Sequence, residues 1–265
     1  MPPGTGRYGA AVPRRHDHDA AGDPEVLEAK SRLRDEVWAA VRRGPALRFP
    51  GPENRIPNFV GAEAAAERLR ATPEWRRAAT VKANPDSPQL PVRQRALEDG
   101  KTVFMAVPRL AAAHPFFLLD PERLDVTPRQ AASIKGASRH GRPVDIAELE
   151  PVDLVVTGCV GVDRTGARLG KGGGFSDLEH AVAHEAGLIG PDTVIATTVH
   201  EDQLLRAGRI PMTTHDVRLH LIVTPERVLR CRPRGGEEHR PGIVWSELSE
   251  EKIAAIPLLQ QLRSR

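Results

Sequence analysis

The order of apolar and amphipathic segments predicts an α/β domain with a mostly parallel β-sheet. Short apolar runs typical of buried strands recur along the chain, and runs with helical periodicity separate them. This alternation is typical of strand–helix–strand units, whose strands run parallel. In such sheets, ligands bind beyond the carboxyl ends of the strands. A glycine-rich loop that follows one predicted strand is therefore the first candidate for a binding site.

The first half of the chain predicts helices that alternate with two strands. A helix is expected from Pro24, because apolar residues recur near helical spacing up to Val41, and Gly44 and Pro45 end it. A loop rich in proline and glycine follows at 48–61. Further helices are expected at residues 62–69, from residue 72 onward and at 92–97. The two strands are expected at residues 80–83 and 103–107.

The second half predicts the strand that leads into the glycine loop. Residues 111–150 carry many prolines and show a less regular pattern. A strand is expected at 153–163, and a helix at 177–188 follows the loop. Further strands are expected at residues 193–199, 219–223, 227–231 and 243–245. A final helix is expected at 248–262.

The composition is that of an ordinary globular protein. Of its 265 residues, 40% are apolar and 28% charged, and the net charge of +3 permits an anionic ligand without requiring nucleic acid. We expect residues 25–265 to form one domain, and residues 1–24, rich in Gly, Pro, Arg, His and Asp, to form a disordered tail. His16 and His18 in that tail have no further ligands nearby, so they do not indicate a metal site.

The two cysteines and the hydropathy pattern indicate the cellular compartment in which the protein is expected. Cys159 and Cys231 lie far apart, which argues against a metal–thiolate site and favours a reduced, cytoplasmic protein. Cys159 lies in an apolar strand, where a buried inert thiol is expected. No run approaches the ~18 apolar residues of a membrane span, and the first residues lack the apolar core of a secretory signal. No membrane association is expected.

The glycine loop carries the features of an anion site. Gly170, Gly172, Gly173 and Gly174 lie between the predicted strand and helix, so the backbone can approach a ligand closely. Arg168 and Lys171 add positive charge, and the following helix start offers free N–H groups to a phosphate. Ser176 and Glu179 match the S-x-x-E capping box. Asp177, next to Ser176, can bind a metal ion or complement the helix dipole.

The spacing of the glycines excludes the two common nucleotide motifs. A G-x-G-x-x-G fingerprint starting at Gly170 fails because Phe175 stands at the third glycine. A P-loop fails because Gly166 and Gly170 enclose three residues rather than four, and Gly172 follows the lysine. A flexible surface loop remains the alternative, and the order of strand, basic loop and helix argues against it.

The sequence resembles 5-formyltetrahydrofolate cyclo-ligases, and especially their methenyltetrahydrofolate synthase domain-containing branch. The resemblance runs from about Lys30 to Trp245. It includes the loop pattern G-x-R-L-G-x-G-x-G, with an aromatic residue and Asp177 soon after. Four shorter motifs support the branch: RIPNF at 55–59, VKANPD at 81–86, PRL at 108–110 and DLE at 177–179. The resemblance implies a three-layer α/β/α Rossmann-like domain.

The resemblance also implies the roles of individual residues. Lys30 and Arg34, which an i, i+4 spacing puts on one helical face, correspond to residues that grip ATP phosphates. Arg168 and Lys171 would act in catalysis. Both also belong to the implied ATP-contacting set, which continues through Gly170, Gly172, Gly173, Gly174, Phe175 and Ser176. The resemblance assigns Asp177 and Asp216 as Mg²⁺ ligands.

The side that would face the folate departs from the family pattern. Asp86 stands near a family glutamate that contacts the folate, and Phe175 and Ser176 replace two tyrosines. Phe175 keeps a ring for the substrate but lacks the hydroxyl, and Ser176 lacks both. His220 replaces an acidic residue four positions after Asp216. The phosphate and metal parts therefore match the pattern more closely than the folate part.

The implied activity is the ATP- and Mg²⁺-dependent conversion of 5-formyltetrahydrofolate to 5,10-methenyltetrahydrofolate, with release of ADP and phosphate. The alternative is a non-catalytic or re-purposed relative that binds a nucleotide, a folate or a partner. A sugar-phosphate isomerase or CoA-transferase relative would rest on the fold alone. Direct RNA binding is not expected, because aromatic residues make up only 4% of the chain and base stacking needs them.

Overall fold

A computed structural model describes residues 23–107, 110, 114–231 and 241–264. The predicted tail up to residue 22, with His16 and His18, and residues 108 and 109 of the PRL motif lie outside this part. The helices are α1 (Pro24–Arg43), α2 (Ala62–Arg70), α3 (Pro73–Arg77), α4 (Leu90–Glu98), α5 (Pro128–Ala131), α6 (Ile134–His140), α7 (Phe175–Glu185), α8 (Glu250–Ala255) and α9 (Pro257–Arg263). The strands are β1 (Thr80–Ala83), β2 (Thr102–Ala106), β3 (Phe116–Leu119), β4 (Arg142–Val144), β5 (Leu154–Val156), β6 (Gly161–Asp163), β7 (Arg168–Leu169), β8 (Val194–Thr198), β9 (Leu204–Leu205), β10 (Leu221–Val223) and β11 (Val228–Arg230).

An eight-stranded, mostly parallel sheet forms the centre of the molecule. Its strand order is β11-β10-β8-β5-β1-β2-β3-β4. The strands from β10 to β2 are parallel, whereas β11 at one edge and β3 and β4 at the other pair antiparallel. The predicted α/β class and mostly parallel sheet are confirmed.

Helices cover both faces of this sheet. Side chains alternate along each strand, so Val103 and Met105 of β2 pack beneath α2, α4 and α5, whereas Phe104 packs on the opposite side. On that side α7 supplies Leu178 and Val182, which cluster with α8 and α9. The three-layer α/β/α arrangement is therefore confirmed. Burial on both faces explains why β5 is a continuous apolar run. β1 is also buried throughout but contains Lys82, which is paired with Glu179.

A separate three-stranded sheet carries the residues that precede the glycine loop. Its order is β7-β6-β9, and α1 packs on it through Leu33, Val37 and Val41. The single strand predicted at 153–163 is therefore wrong, because β5 and β6 belong to different sheets. The chain passes from one sheet to the other through residues 157–160, which include Gly158. A Cβ atom at Gly158 would lie 2.9 Å from Asp86 Oδ2 and 3.0 Å from Ile56 Cγ1, so a larger residue would displace one of these side chains.

Other boundaries differ for identifiable reasons. Residues 243–245 lead into a 3₁₀ turn, Trp245–Glu247, instead of the predicted strand. The helix predicted at 248–262 is two helices, because Pro257 cannot continue α8 and starts α9. The irregular stretch at 111–150 contains β3, α5, α6 and β4, which short lengths and prolines concealed. Of the helices that the structure describes, none is long and apolar enough to cross a membrane. That residues 25–265 form a single domain stays a prediction.

Candidate functional site

The glycine loop, residues 170–174, connects β7 to the amino end of α7. Gly172 and Gly174 have φ angles of 108° and 66°, in the left-handed region that favours glycine. Gly174 is the N-cap of α7, and among the described residues no side chain caps it. The first N–H groups of α7 are therefore available to bind an anion.

The predicted capping box is wrong, because α7 begins at Phe175, two residues earlier than a box with Ser176 as N-cap requires. Ser176 lies inside the first turn, and its Oγ is 2.8 Å from Thr157 Oγ1. Glu179 is buried and accepts hydrogen bonds from Lys82 Nζ at 2.5 Å and Asn84 Nδ2 at 3.1 Å. These residues join α7 to the end of β1 and hold the helix against the main sheet.

A cavity of about 300 Å³ lies between this loop and α1. We call it the loop cavity. Five predicted phosphate and metal residues line it: Lys30, Arg34, Arg168, Asp177 and Asp216. The other lining residues include Gly170, Gly172, Gly174 and His215. Residues more than 180 positions apart in sequence thus face one space. Lys171, Gly173, Phe175, Ser176 and Asp86 lie outside its walls.

Arg168 is the central cation of the loop cavity. It is 4% exposed, and its Nη2 donates to Asp177 Oδ1 at 2.5 Å. Burial disfavours its charge, but the carboxylate of Asp177 outweighs burial and raises the pKa of the guanidinium. Its Nη1 is buried with no hydrogen-bond partner among the described residues. A Cβ atom at Gly170 would lie 3.9 Å from that nitrogen, so the unpaired donor lies beside the glycine loop.

Lys30 and Arg34 reach the cavity from α1. Both are buried, and Lys30 Nζ donates to Asp216 Oδ2 at 2.5 Å. Asp216 Oδ2 also accepts from the backbone N–H of Thr213 at 2.6 Å and from its hydroxyl at 2.8 Å. Burial opposes ionisation of Asp216, but Lys30 and Thr213 outweigh it and lower its pKa. Asp216 is therefore an ionised carboxylate at neutral pH.

The two predicted metal ligands are linked through the backbone. Asp177 Oδ1 accepts from the N–H of Val217, the residue after Asp216, at 3.1 Å. Within the described ranges, no group of three or more His, Cys, Asp or Glu side chains could hold a metal ion. Two carboxylates facing one cavity do fit Mg²⁺, which commonly takes one or two carboxylates and completes its shell with phosphates and water. The metal role of both residues stays a prediction.

Asp86 and Lys171 form a second polar group outside the loop cavity. Lys171 Nζ lies 2.9 Å from Asp86 Oδ1. The fully buried Arg93 fixes the loop that carries Asp86, since its guanidinium donates to the backbone oxygens of Asn84, Pro85 and Asp86. Burial lowers the pKa of Arg93 to about 10, so the group stays charged at neutral pH.

Sequence reasoning missed several residues around the site. Lys82 could have been identified from the sequence, because a lysine inside a buried strand needs a buried partner, which is Glu179 here. Lys252 on α8 was not foreseen, yet its Nζ donates to Gly173 O at 2.9 Å. No local pattern identifies it, because the contact joins residues 79 positions apart.

Two sequence expectations can be compared with the contacts. His220, which replaces a family acid, immediately precedes β10, and its Nδ1 accepts from the N–H of Ile195 in β8 at 2.8 Å. The side chain therefore links two strands of the main sheet. Cys159 is fully buried, and burial raises the pKa of its thiol to about 11, as an inert thiol requires.

Known proteins share much of this chain. Residues 26–225 match the model of the 5-formyltetrahydrofolate cyclo-ligase family. The methenyltetrahydrofolate synthase domain-containing protein of Bos taurus is 34% identical over 245 residues, which are 91% of this chain and 63% of that protein. The Mus musculus protein of that name is 35% identical over 241 residues, 89% of this chain and 64% of that one. This chain thus spans less than two thirds of either relative.

More distant similarities reach enzymes of the family. The 5-formyltetrahydrofolate cyclo-ligase of Escherichia coli (strain K12) is 27% identical over 143 residues, 52% of this chain and 71% of that protein. The solved 5,10-methenyltetrahydrofolate synthetase of Aquifex aeolicus aligns with a TM-score of 0.49 and 20% identity, covering 79% of this chain and 96% of that one. Because the family model matches well over half of its 265 residues, the chain belongs to the 5-formyltetrahydrofolate cyclo-ligase family, a family of ligases.

Proposed function

We propose that this protein converts 5-formyltetrahydrofolate to 5,10-methenyltetrahydrofolate with Mg-ATP, releasing ADP and phosphate. The observation that carries the proposal is Nη1 of Arg168, which has no partner among the residues described and lies in a cavity that Lys30 and Arg34 also line. A buried charged donor without an acceptor is costly, so the site favours a ligand with anionic oxygens. The open start of α7 favours the same ligand.

The proposed chemistry needs positioning and charge neutralisation more than a nucleophilic side chain. The formyl oxygen attacks the γ-phosphorus of ATP and ADP leaves; N10 of the folate then closes the ring, and phosphate leaves. Arg168, Lys30 and Arg34 would hold the phosphates and offset the charge that develops on the transferred group. When bound, Mg²⁺ would neutralise further phosphate charge beside Asp177 and Asp216.

The folate is proposed to bind on the Asp86 side of the glycine loop. Asp86 accepts from Lys171 and offers a carboxylate to N–H donors of the pterin ring. Lys171 would then be released to face the reacting phosphoryl group, which is the catalytic role proposed for it. Phe175, at the start of α7, would pack against the substrate.

A direct spectrophotometric assay on the purified chain tests the proposal. Methenyltetrahydrofolate should accumulate, followed by its absorbance, from 5-formyltetrahydrofolate only when both Mg²⁺ and ATP are present. Arg168→Gln should reduce the rate by tenfold or more, on the order of one lost charged hydrogen bond. Arg209→Gln is the matched control, because Arg209 forms an exposed pair with Glu36 away from the cavity. Equal rates with and without ATP would disprove the reaction.

A re-purposed binder is the second candidate, and the folate side favours it. Ser176 is hydrogen-bonded to Thr157, and Lys252 Nζ lies 5.1 Å from the centroid of the Phe175 ring. Both residues are thus engaged within the protein where the family pattern has tyrosines. Binding of Mg-ATP by calorimetry, without product in the assay, would select this candidate. Direct RNA binding is not proposed, and a cytoplasmic location stays a prediction.

A further inference from the structure

The segment of residues 241–264 lies beyond the part of the chain that matches the family, residues 26–225. We call it the C-terminal segment. Its helices α8 and α9 pack on α7 through Ile253, Leu258 and Leu259, which cluster with Leu178 and Val182. Its start is tied to the other end of α7, because Ile243 N–H donates to Glu185 Oε1 at 2.7 Å. The segment therefore lies along the whole length of the helix that follows the glycine loop.

Lys252 joins this segment to the glycine loop. The residue is 8% exposed, and its backbone N–H donates to the Oγ of Ser249, the N-cap of α8, at 3.1 Å. Its Nζ donates to Gly173 O at 2.9 Å and lies 5.1 Å from the centroid of the Phe175 ring. A Cβ atom at Gly174 would lie 3.3 Å from the same nitrogen. The ammonium group thus bonds Gly173 and lies beside Gly174 and the Phe175 ring in the turn into α7.

Glu247 joins the segment to the second loop of the site. Its carboxylate bonds His215 Nδ1 and accepts from Thr214 Oγ1, the latter at 3.3 Å. His215 precedes Asp216 and lines the loop cavity. The carboxylate that pairs with Lys30 therefore lies in a loop that the C-terminal segment also holds.

We propose that the C-terminal segment is a working part of the anion site, with Lys252 and Glu247 as positioning residues. This inference rests on the proposed nucleotide binding at the loop cavity. Glycine has more conformational freedom to lose than any other residue, so an untethered loop of four glycines would bind phosphate weakly. Lys252 fixes the peptide between Gly173 and Gly174, and Glu247 fixes the neighbouring loop. The loop is thereby ordered before the ligand arrives.

The first test needs no ligand. Amide hydrogen exchange of residues 172–179, which include the hydrogen-bonded N–H of Leu178 that donates to Gly174 O at 3.0 Å, is compared in the full chain, in Lys252→Met and in Glu250→Gln. Glu250 lies on the same helix but pairs with Arg263, and its side chain is 78% exposed, so it serves as the control. Exchange should accelerate about three- to tenfold in Lys252→Met only, the range expected for one hydrogen bond. Unchanged exchange in Lys252→Met overturns the proposal.

The second test measures Mg-ATP affinity of the same proteins by calorimetry. Lys252→Met should weaken binding about three- to tenfold, and Lys252→Arg should restore part of the loss, since both retain the side-chain length but only arginine donates. If Lys252→Met shows faster amide exchange but unchanged Mg-ATP affinity, the proposed role of Lys252 in nucleotide binding is wrong. If the wild-type protein itself binds no Mg-ATP, the proposed function fails, and exchange still decides whether Lys252 orders the loop.

Glu247→Gln keeps the inference testable if Lys252→Met does not fold. The Glu247 side chain is 26% exposed, so the change is mild. It should accelerate exchange at residues 213–216 and weaken Mg-ATP binding, while Glu250→Gln changes neither. Equal behaviour of these two variants would refute the role of the segment.

Discussion

The phosphate side and the folate side of the candidate site differ in how their side chains are engaged. On the phosphate side, Lys30, Arg34, Arg168, Asp177 and Asp216 all line one cavity, and Nη1 of Arg168 has no hydrogen-bond partner within the part of the chain that the structure describes. On the folate side, the predicted residues are all occupied within the protein. They form the contacts Asp86–Lys171, Ser176–Thr157 and Phe175–Lys252. Anion binding can thus begin at the unpaired Nη1 of Arg168, although the Lys30–Asp216 and Arg168–Asp177 pairs compete with the ligand. Folate binding requires each of the predicted residues to exchange an internal contact first.

The largest expected effect tests the phosphate side. Arg168→Gln should weaken Mg-ATP binding tenfold or more, because charged hydrogen bonds to phosphate contribute roughly 1.5–3 kcal/mol. Calorimetric titration measures the affinity, and a melting curve shows whether loss of the pair with Asp177 has also unfolded the protein. Arg209→Gln should bind normally. An Arg168→Gln protein with wild-type affinity would remove the phosphate side from the comparison.

The next effect separates the metal role of the two carboxylates from their ion pairs. If Asp177 and Asp216 share one Mg²⁺, Asp177→Asn and Asp216→Asn should each weaken Mg-ATP binding, on the order of tenfold. The double variant should lose little more than either single variant. ATP without Mg²⁺ should instead bind more tightly to each variant, because Arg168 or Lys30 is released from its carboxylate.

Calorimetry with and without Mg²⁺ measures both effects. Losses that simply add in the double variant would contradict a shared ion. Unchanged Mg²⁺-free binding would show that the ion pairs do not compete with the ligand.

The third effect tests the folate side. If the protein is a cyclo-ligase, Ser176→Tyr should lower the KM for 5-formyltetrahydrofolate several-fold and leave that for ATP nearly unchanged, since an aromatic contact contributes about 1 kcal/mol. The helix cap is unaffected because Gly174 is the N-cap. Thr157→Val is the control, because it removes the hydrogen bond to Ser176 without adding a ring. Equal changes in both variants would attribute the effect to the lost hydrogen bond.

The sequence predicted the phosphate side better than the contacts that support it. Alternating strands and helices predicted the class, and the family resemblance grouped residues that the structure places around one cavity, although their roles stay predictions. The break between β5 and β6 was missed, because an apolar run does not show that a chain changes sheets. The role of Glu179 was missed for a similar reason: its S-x-x-E spacing fits a cap, whereas its buried partner Lys82 lies 97 residues away. Contacts between distant segments leave no local periodicity.

The smallest expected effect concerns the acid stability of the phosphate side. The folded pKa of Asp216 lies below its ordinary value of 3.8, because Lys30 and Thr213 outweigh the opposing effect of burial. Its contribution to stability is therefore present above that value and is lost as pH falls through the folded pKa. Urea unfolding between pH 6 and about pH 3 measures this. The free energy of unfolding should fall less steeply with acid in Asp216→Asn than in the wild type, even though the variant is less stable at neutral pH because Lys30 loses its buried partner. Parallel curves would show that the Lys30–Asp216 pair does not govern the acid response, and that the charges of the phosphate side are held by other contacts.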